Sequence, residues 1–249
     1  MLSNCLSASV GLSRRWYIVA KMMETLVNRL LTSRLFLRAV YYPWIALPYP
    51  ARRLAASAGI WALLLMKRAR GIHRHRGLTP ADRMFTLSFW GVPSVNSSEY
   101  HLTLDGSVQH PYTLDLEGLK SLPAVERQVT LDCVGGLRNN CIMRGVSLEH
   151  LLDQAGPKEE ARTVVFHCAD GYYTTHPLKD LMDSQAFMAY TVNGLETPAH
   201  GSPLRLVAPG KYGYKWAKWV VRIELVPGAP KGYWERRGVP DKAWVGDIR

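Results

Sequence analysis

No two cysteines in this chain stand at the spacing of a metal knuckle, a redox couple or a haem attachment. The four thiols, Cys5, Cys133, Cys141 and Cys168, form neither C-x-x-C nor C-x-x-C-H, which argues against a zinc ribbon and a covalently held haem. They are also too few and too scattered over 249 residues to build a disulfide framework. A G-x-G-x-x-G turn is missing, so a bound dinucleotide has no fingerprint either. The longest nearly apolar stretch, Leu54 to Met66, spans about 20 Å as a helix at ~1.5 Å per residue, short of a hydrocarbon core of ~30 Å. Acidic residues are almost absent from one end. Residues 1–83 carry fourteen Lys or Arg against Glu24 and Asp82, a net +12, whereas residues 84–249 carry seventeen against eighteen, a net −1. The hydrophobic share of 47% supports one full domain plus an appendage, and excludes a disordered chain. We divide the chain into a basic, partly amphipathic extension, 1–80, and a folded domain, 81–249.

The extension allows more than one reading. Ser13-Arg14-Arg15-Trp16-Tyr17-Ile18 resembles a twin-arginine export signal, but Lys21, Glu24, Asn28 and Arg29 interrupt the apolar run that should follow. Arg52-Arg53-Leu54 leads a better run, which ends in Lys67, Arg68 and Arg70 rather than in a small-residue cleavage site. Met22 to Val40 sets Met22, Leu26, Leu30 and Phe36 among Arg29, Arg34 and Arg38. That pattern suits a basic helix at a membrane surface, and equally one packed on its own domain. The aromatics follow apolar runs instead of alternating with basic residues, so no nucleic-acid arm is expected. His73 to Arg76 reads as a solvated linker.

From Phe85 onward the pattern is one of short strands with a few short helices. Strands are expected at Phe85–Phe89, Tyr100–Leu104, Val164–His167, Ala186–Val192, Leu204–Val207 and Trp219–Val226, and helices at Leu116–Ser121, Ser147–Ala155 (capped by Ser147 and stopped by Gly156-Pro157) and Leu178–Ser184. Such a series indicates an α+β domain rather than alternating α/β units. Within it, Val129 and Leu131 alternate with Gln128, Thr130 and Asp132, which puts Cys133 on the apolar face at the end of a strand. Gly135 and Gly136 follow and free the chain to turn. Taken alone, Cys133 reads first as a small core hydrophobe; a ligand or nucleophile needs further company, and a Cys-His nucleophile stays open.

Three later segments narrow the choice: Phe166 to Tyr172 (F-H-C-A-D-G-Y), His200 to Gly210 (H-G-S-P-L-R-L-V-A-P-G) and Lys211 to Val220 (K-Y-G-Y-K-W-A-K-W-V). Together with the cysteine segment they resemble the molybdopterin-binding domain of the sulfite oxidase superfamily, whose bacterial members include sulfite oxidase-like oxidoreductases and a periplasmic methionine-sulfoxide reductase. The resemblance runs from about Phe85 to Trp244. It implies a mixed, short-stranded sulfite oxidase-like fold, a molybdenum-molybdopterin cofactor and two-electron oxygen-atom transfer, with Cys133 as the molybdenum ligand, a role suited to a soft thiolate. By the same resemblance His200 and Arg205 serve the pterin and its phosphate, as do Lys215, Trp216 and Lys218 from the following segment. Asp170 matches a position near the pterin, though an Asx turn accounts for it as well. Ser88 and Phe89 fall where the family approaches the cofactor, and Arg138, five residues after the cysteine, faces the substrate anion.

Two departures bear on the substrate. Leu87 to Gly91 reads L-S-F-W-G and lacks the R-N-H of the true sulfite oxidases, and Val239 stands where the family commonly has Tyr. Both remove groups that would hold a doubly charged anion, so the expected substrate widens to a small oxyanion or an S- or N-oxide. The resemblance also implies an external electron partner, such as a membrane cytochrome. No haem domain is expected before Phe85, and no immunoglobulin-like dimerisation domain after Trp244. The expected place is cytoplasmic or membrane-associated, with twin-arginine export as the alternative. Two other functions remain open at this point: a non-catalytic binding module on the same fold, and a Cys-His hydrolase using Cys133 with His167 or His200.

Overall fold

The computed structural model describes residues 37–69, 77–80, 83–88 and 90–246. The twin-arginine segment, Met22 to Phe36 of the expected surface helix, the His73–Arg76 linker and Phe89 lie outside the described residues. The described chain opens with a π-helical turn, Leu37–Tyr41, and the helices α1 (Tyr42–Ala46) and α2 (Tyr49–Ala69). It continues through β1 (His101–Gly106), β2 (Tyr112–Asp115), α3 (Leu116–Ser121), β3 (Ala124–Asp132), β4 (Arg138–Ser147) and α4 (Leu148–Ala155). The order then runs β5 (Thr163–Cys168), β6 (Tyr173–Pro177), α5 (Leu178–Asp183), β7 (Phe187–Val192), β8 (Arg205–Val207) and β9 (Val220–Val226).

Two sheets enclose one core. The first has the order β2-β1-β9-β5-β6, with β1 and β9 parallel and the other pairs antiparallel. The second, β3-β4-β7-β8, is antiparallel throughout. β5 lies between β9 and β6, and Thr163 to Phe166 are all buried, as expected of a strand covered on both faces. β3 shows the alternation read from its sequence: Val129 and Leu131 are buried while Gln128 and Thr130 are exposed. The α+β assignment is therefore borne out, with α4 turning its Leu148, Leu151 and Leu152 stripe into the core. Two local expectations are corrected. Phe85 to Ser88 is irregular rather than a strand, because this segment hangs from side chains: Asn139 exchanges two hydrogen bonds with the Phe85 backbone, and Thr86 donates to the Ala199 carbonyl at 2.8 Å. Ser147 makes no side-chain cap; it is instead the last residue of β4, paired with Phe187.

The second half of the extension is packed on the domain. Trp44 donates from Nε1 to the Arg237 carbonyl at 3.2 Å, Arg237 donates from Nε to the Tyr41 hydroxyl at 2.8 Å, and Lys231 bonds the Tyr49 hydroxyl. The seat is tightest at Gly238, whose φ is +98° and where a Cβ would stand 2.7 Å from the Arg52 carbonyl carbon and 2.8 Å from the Arg53 nitrogen. Only glycine allows the α2 backbone to lie this close. Packing is also continuous near the expected boundary at residue 80, since Thr79 exchanges backbone and side-chain hydrogen bonds with Asn140 and accepts one from Asn193.

Candidate active site

The hairpin between β3 and β4 carries the thiol. Asp132 pairs with Arg138 as the last rung, and residues 133–137 form the turn, closed by hydrogen bonds from Cys133 N to Leu137 O and from Gly136 N to Cys133 O. Gly136, at φ +90°, takes the left-handed position that the turn requires; Gly135 does not. Gly135 N donates to Cys133 Sγ at 3.3 Å. Cys133 is the cysteine whose thiol reaches the cavity described below. Cys141 and Cys168 are buried in the core. Burial raises the Cys141 thiol to about 11, with Arg205 beside it pulling the other way, and pushes the Cys168 thiol higher still, which keeps both protonated and inert.

The cavity, of about 480 Å³, falls within the range that holds a ligand the size of a pterin cofactor. The segments singled out in the sequence meet on one of its sides. Arg205 and Lys218 are paired in an antiparallel bridge between β8 and the strand-like run before Trp219. Gly201 allows this close approach: at φ +106° it packs where a Cβ would lie 2.9 Å from Arg205 Cβ and 3.0 Å from Lys218 Cγ. His200 closes a 3-10 turn just before it and also lines the cavity.

Arg205 is 4% exposed. Its Nη1 donates to the His200 carbonyl at 2.7 Å and its guanidinium lies over the Trp216 ring, while Nε has no partner among the described residues. Burial lowers its pKa to about 10, with the neighbouring Cys141 acting against the shift. A buried cation beside a cavity, with a donor that no described residue takes up, suits an anionic group.

The remaining expected residues divide. Ser88, Asp170, Trp216 and Lys218 line the cavity. Lys218 donates to Thr86 Oγ1, Leu87 O and Ser88 Oγ at 2.8–3.0 Å, so it also pins the 86–88 segment to the rim. Asp170 accepts from Tyr172 N in an Asx turn, and burial raises its carboxyl above the ordinary range. Lys215 is not at the cavity. It is 2% exposed, donating to the Thr175 carbonyl and ion-paired with Glu235, itself 1% exposed. Arg138 is not a lining residue either, and its fork is held by the Asp132 carboxylate at 2.9 and 2.8 Å. His167 pairs with Glu224 at 2.8 Å away from the cavity, which removes one of the two histidines considered for a Cys-His nucleophile.

Much of the wall was not foreseen. Trp44, Ala56, Gly59, Ile60 and Leu63 come from the extension, and Trp90, Tyr172, Tyr214 and Trp234 from the domain; Val239, singled out in the sequence, lines it too. The spacing of residues 56, 59, 60 and 63 is that of one helical face, the signal by which part of this wall could have been suspected.

The donor set fits a molybdopterin. Among the described residues no group of three or more His, Cys, Asp or Glu could hold a metal. A metal bound at Cys133 must therefore arrive with most of its ligands, as it does in a dithiolene cofactor. The orphaned Nε of Arg205 supplies a donor for the anionic part of such a group.

The oxidoreductase molybdopterin binding domain family is matched over residues 89–234. An uncharacterized oxidoreductase of Bacillus subtilis, YuiH, is 37% identical over 170 residues, 65% of this chain and 86% of that protein. Human mitochondrial sulfite oxidase is 29% identical over 191 residues, 64% of this chain and 35% of that one. Among solved structures, the sulfane dehydrogenase SoxCD of Paracoccus pantotrophus superposes with a TM-score of 0.59 at 27% identity, covering 64% of this chain and 46% of its own. The chain thus spans most of the Bacillus relative but less than half of the other two.

Proposed function

From the premise that the chain belongs to the oxidoreductase molybdopterin binding domain family, we propose that it carries out two-electron oxygen-atom transfer on an uncharged S-oxide or N-oxide, or on the corresponding reduced compound in reverse. The family makes it a molybdenum-cofactor oxidoreductase; the substrate is the proposed part. When bound, the cofactor supplies the redox centre that gives up or takes the oxygen atom and two electrons. The residues of this chain do the rest. Cys133 offers the soft ligand, with Gly135 N steadying its sulfur. Arg205 and His200, which line the cavity, would hold the anionic part of the cofactor, and Lys218 fixes the rim.

The observation that carries the substrate reading is the fate of the cations. Arg138 is engaged by Asp132 and Lys215 by Glu235, neither at the cavity, so that among the described residues Arg205 and Lys218 are the Lys and Arg side chains of the lining. Both stand where the cofactor's own negative charge would use them. The rest of the wall is mainly apolar and aromatic, and a doubly charged sulfite would enter it without a counter-charge. Molybdenum and pterin analysis of the purified protein tests the first half of the proposal. Turnover of dimethyl sulfoxide with a reduced viologen, set against sulfite oxidation with ferricyanide, tests the second. Metal-free protein sinks the cofactor reading, and preferred sulfite oxidation sinks the uncharged substrate.

The electrons pass to or from an external carrier, and the outward face of α2 suggests where the protein meets a membrane. Leu54, Trp61 and Leu65 are exposed there, and the extension is strongly basic, a combination suited to an anionic lipid surface. Among the described residues no helix is long and apolar enough to cross a bilayer. We therefore propose surface attachment, tested by sedimentation with phosphatidylglycerol vesicles: retention in the supernatant refutes it.

A further inference from the structure

We propose that α2 is the specificity element of the site, with Gly59 setting how large an oxide can approach Cys133. This rests on the functional reading above and adds to it a role for the extension. Ala56, Gly59, Ile60 and Leu63 recur at the i, i+3, i+4, i+7 spacing of a single helical face, and all four line the cavity that also holds Cys133 and Arg205. These four are apolar, so the helix offers the occupant area without hydrogen bonds. It selects by shape and polarity rather than by charge.

Two further observations make the helix a fixed wall. It is seated against the 231–241 segment by the backbone contact at Gly238 and by the bond of Tyr49 with Lys231, and α1 just before it by the bond of Trp44 to the Arg237 carbonyl. That same segment contributes Trp234 and Val239 to the cavity. The two pieces of chain, nearly two hundred residues apart in sequence, build one wall together.

Gly59 is the point of control. It lines the cavity on an exposed stretch of the helix, and a Cβ built there meets nothing within 4 Å, so a side chain added there would project into open space at the cavity and not into packed neighbours. A glycine inside a helix is otherwise unfavourable by about 1 kcal/mol relative to alanine. Larger side chains at this position should fill the space without unfolding the helix.

The test uses the molybdenum-loaded enzyme and two neutral probes, methyl phenyl sulfoxide and dimethyl sulfoxide. Trp44, Trp90, Trp216, Trp219 and Trp234 line the cavity, so binding is read from tryptophan fluorescence as well as from KM. Gly59→Phe should weaken methyl phenyl sulfoxide about tenfold or more, the loss expected when a ring is shut out of an apolar wall, and should change dimethyl sulfoxide less than about twofold. Gly59→Ala should fall between wild type and Phe. Ala58→Phe, on the exposed side of the same helix, should leave the ratio of the two affinities unchanged. The proposal is overturned if Gly59→Phe leaves that ratio at its wild-type value, or if Ala58→Phe shifts it equally. Either result in fully loaded enzyme refutes the wall and leaves the cofactor reading standing; protein that purifies without molybdenum refutes the cofactor reading itself.

Discussion

Replacing Arg205 by Met should stabilise the empty protein and weaken its hold on the cofactor, two effects of opposite sign from one side chain. Bringing the guanidinium down from its ordinary value to about 10 through burial corresponds to ~3 kcal/mol of unfavourable charge burial at neutral pH. Met keeps most of the volume and removes that charge. Against this, the His200 carbonyl loses the donor that Nη1 supplies at 2.7 Å, and the stacking on Trp216 goes too, together ~1–2 kcal/mol. The net gain of ~1 kcal/mol should raise the melting temperature of cofactor-free protein by about 2–4 °C. Loaded protein should behave differently. A charged hydrogen bond worth ~1.5–3 kcal/mol would be missing, so molybdenum and pterin should be held about 10–150-fold more weakly. Calorimetry on protein from a host that cannot make molybdopterin gives the first quantity. Metal analysis after limiting reconstitution, in competition with wild type, gives the second. A lower melting temperature together with undiminished occupancy would show that Arg205 is a core strut, and would refute the reasoning.

Cys133→Ser should keep the fold, because the side chain sits half-buried in a turn, and should abolish turnover, since a hydroxyl is a poor soft ligand; Cys141→Ala should retain turnover per molybdenum, and loss in that variant would mean the wrong thiol has been assigned. Glu235→Gln should destabilise by ~3–5 kcal/mol, read by urea denaturation, because it leaves the buried Lys215 charge unpaired. Loss of cofactor without loss of stability would instead return Lys215 to the site. His176 is 1% exposed, and burial, with Lys215 nearby, holds its pKa well below the ordinary 6.5. The unfolded chain takes up a proton that the native protein refuses, so this contribution to stability is intact above 6.5 and declines by ~1.4 kcal/mol per pH unit below it, until the depressed native pKa is reached. Denaturation midpoints between pH 8 and 5 should fall less steeply in His176→Gln, and parallel slopes would contradict the assignment.

Local pattern was enough to fix much of this protein. The alternation of Val129 and Leu131 with their polar neighbours determined both β3 and the side on which Cys133 emerges, because a strand has a period of two and the core has one side. The order of the Cys133, His200–Arg205 and Lys215–Lys218 segments carried the family and its cofactor. What sequence could not decide was where a charge goes once the chain is folded. Lys215 and Lys218 are three residues apart, yet the first is held off the cavity lining by Glu235 and the second to its rim by Thr86, Leu87 and Ser88. Arg138 reads as a substrate residue until Asp132, across the hairpin, is seen to take its fork. The spacing of Ala56, Gly59, Ile60 and Leu63 declares an apolar face, but only the close approach of Gly238 to the α2 backbone decides that this face covers the site and not some other surface. Apolar burial is non-directional, so a helix records that it must be covered, and the tertiary structure alone selects what covers it.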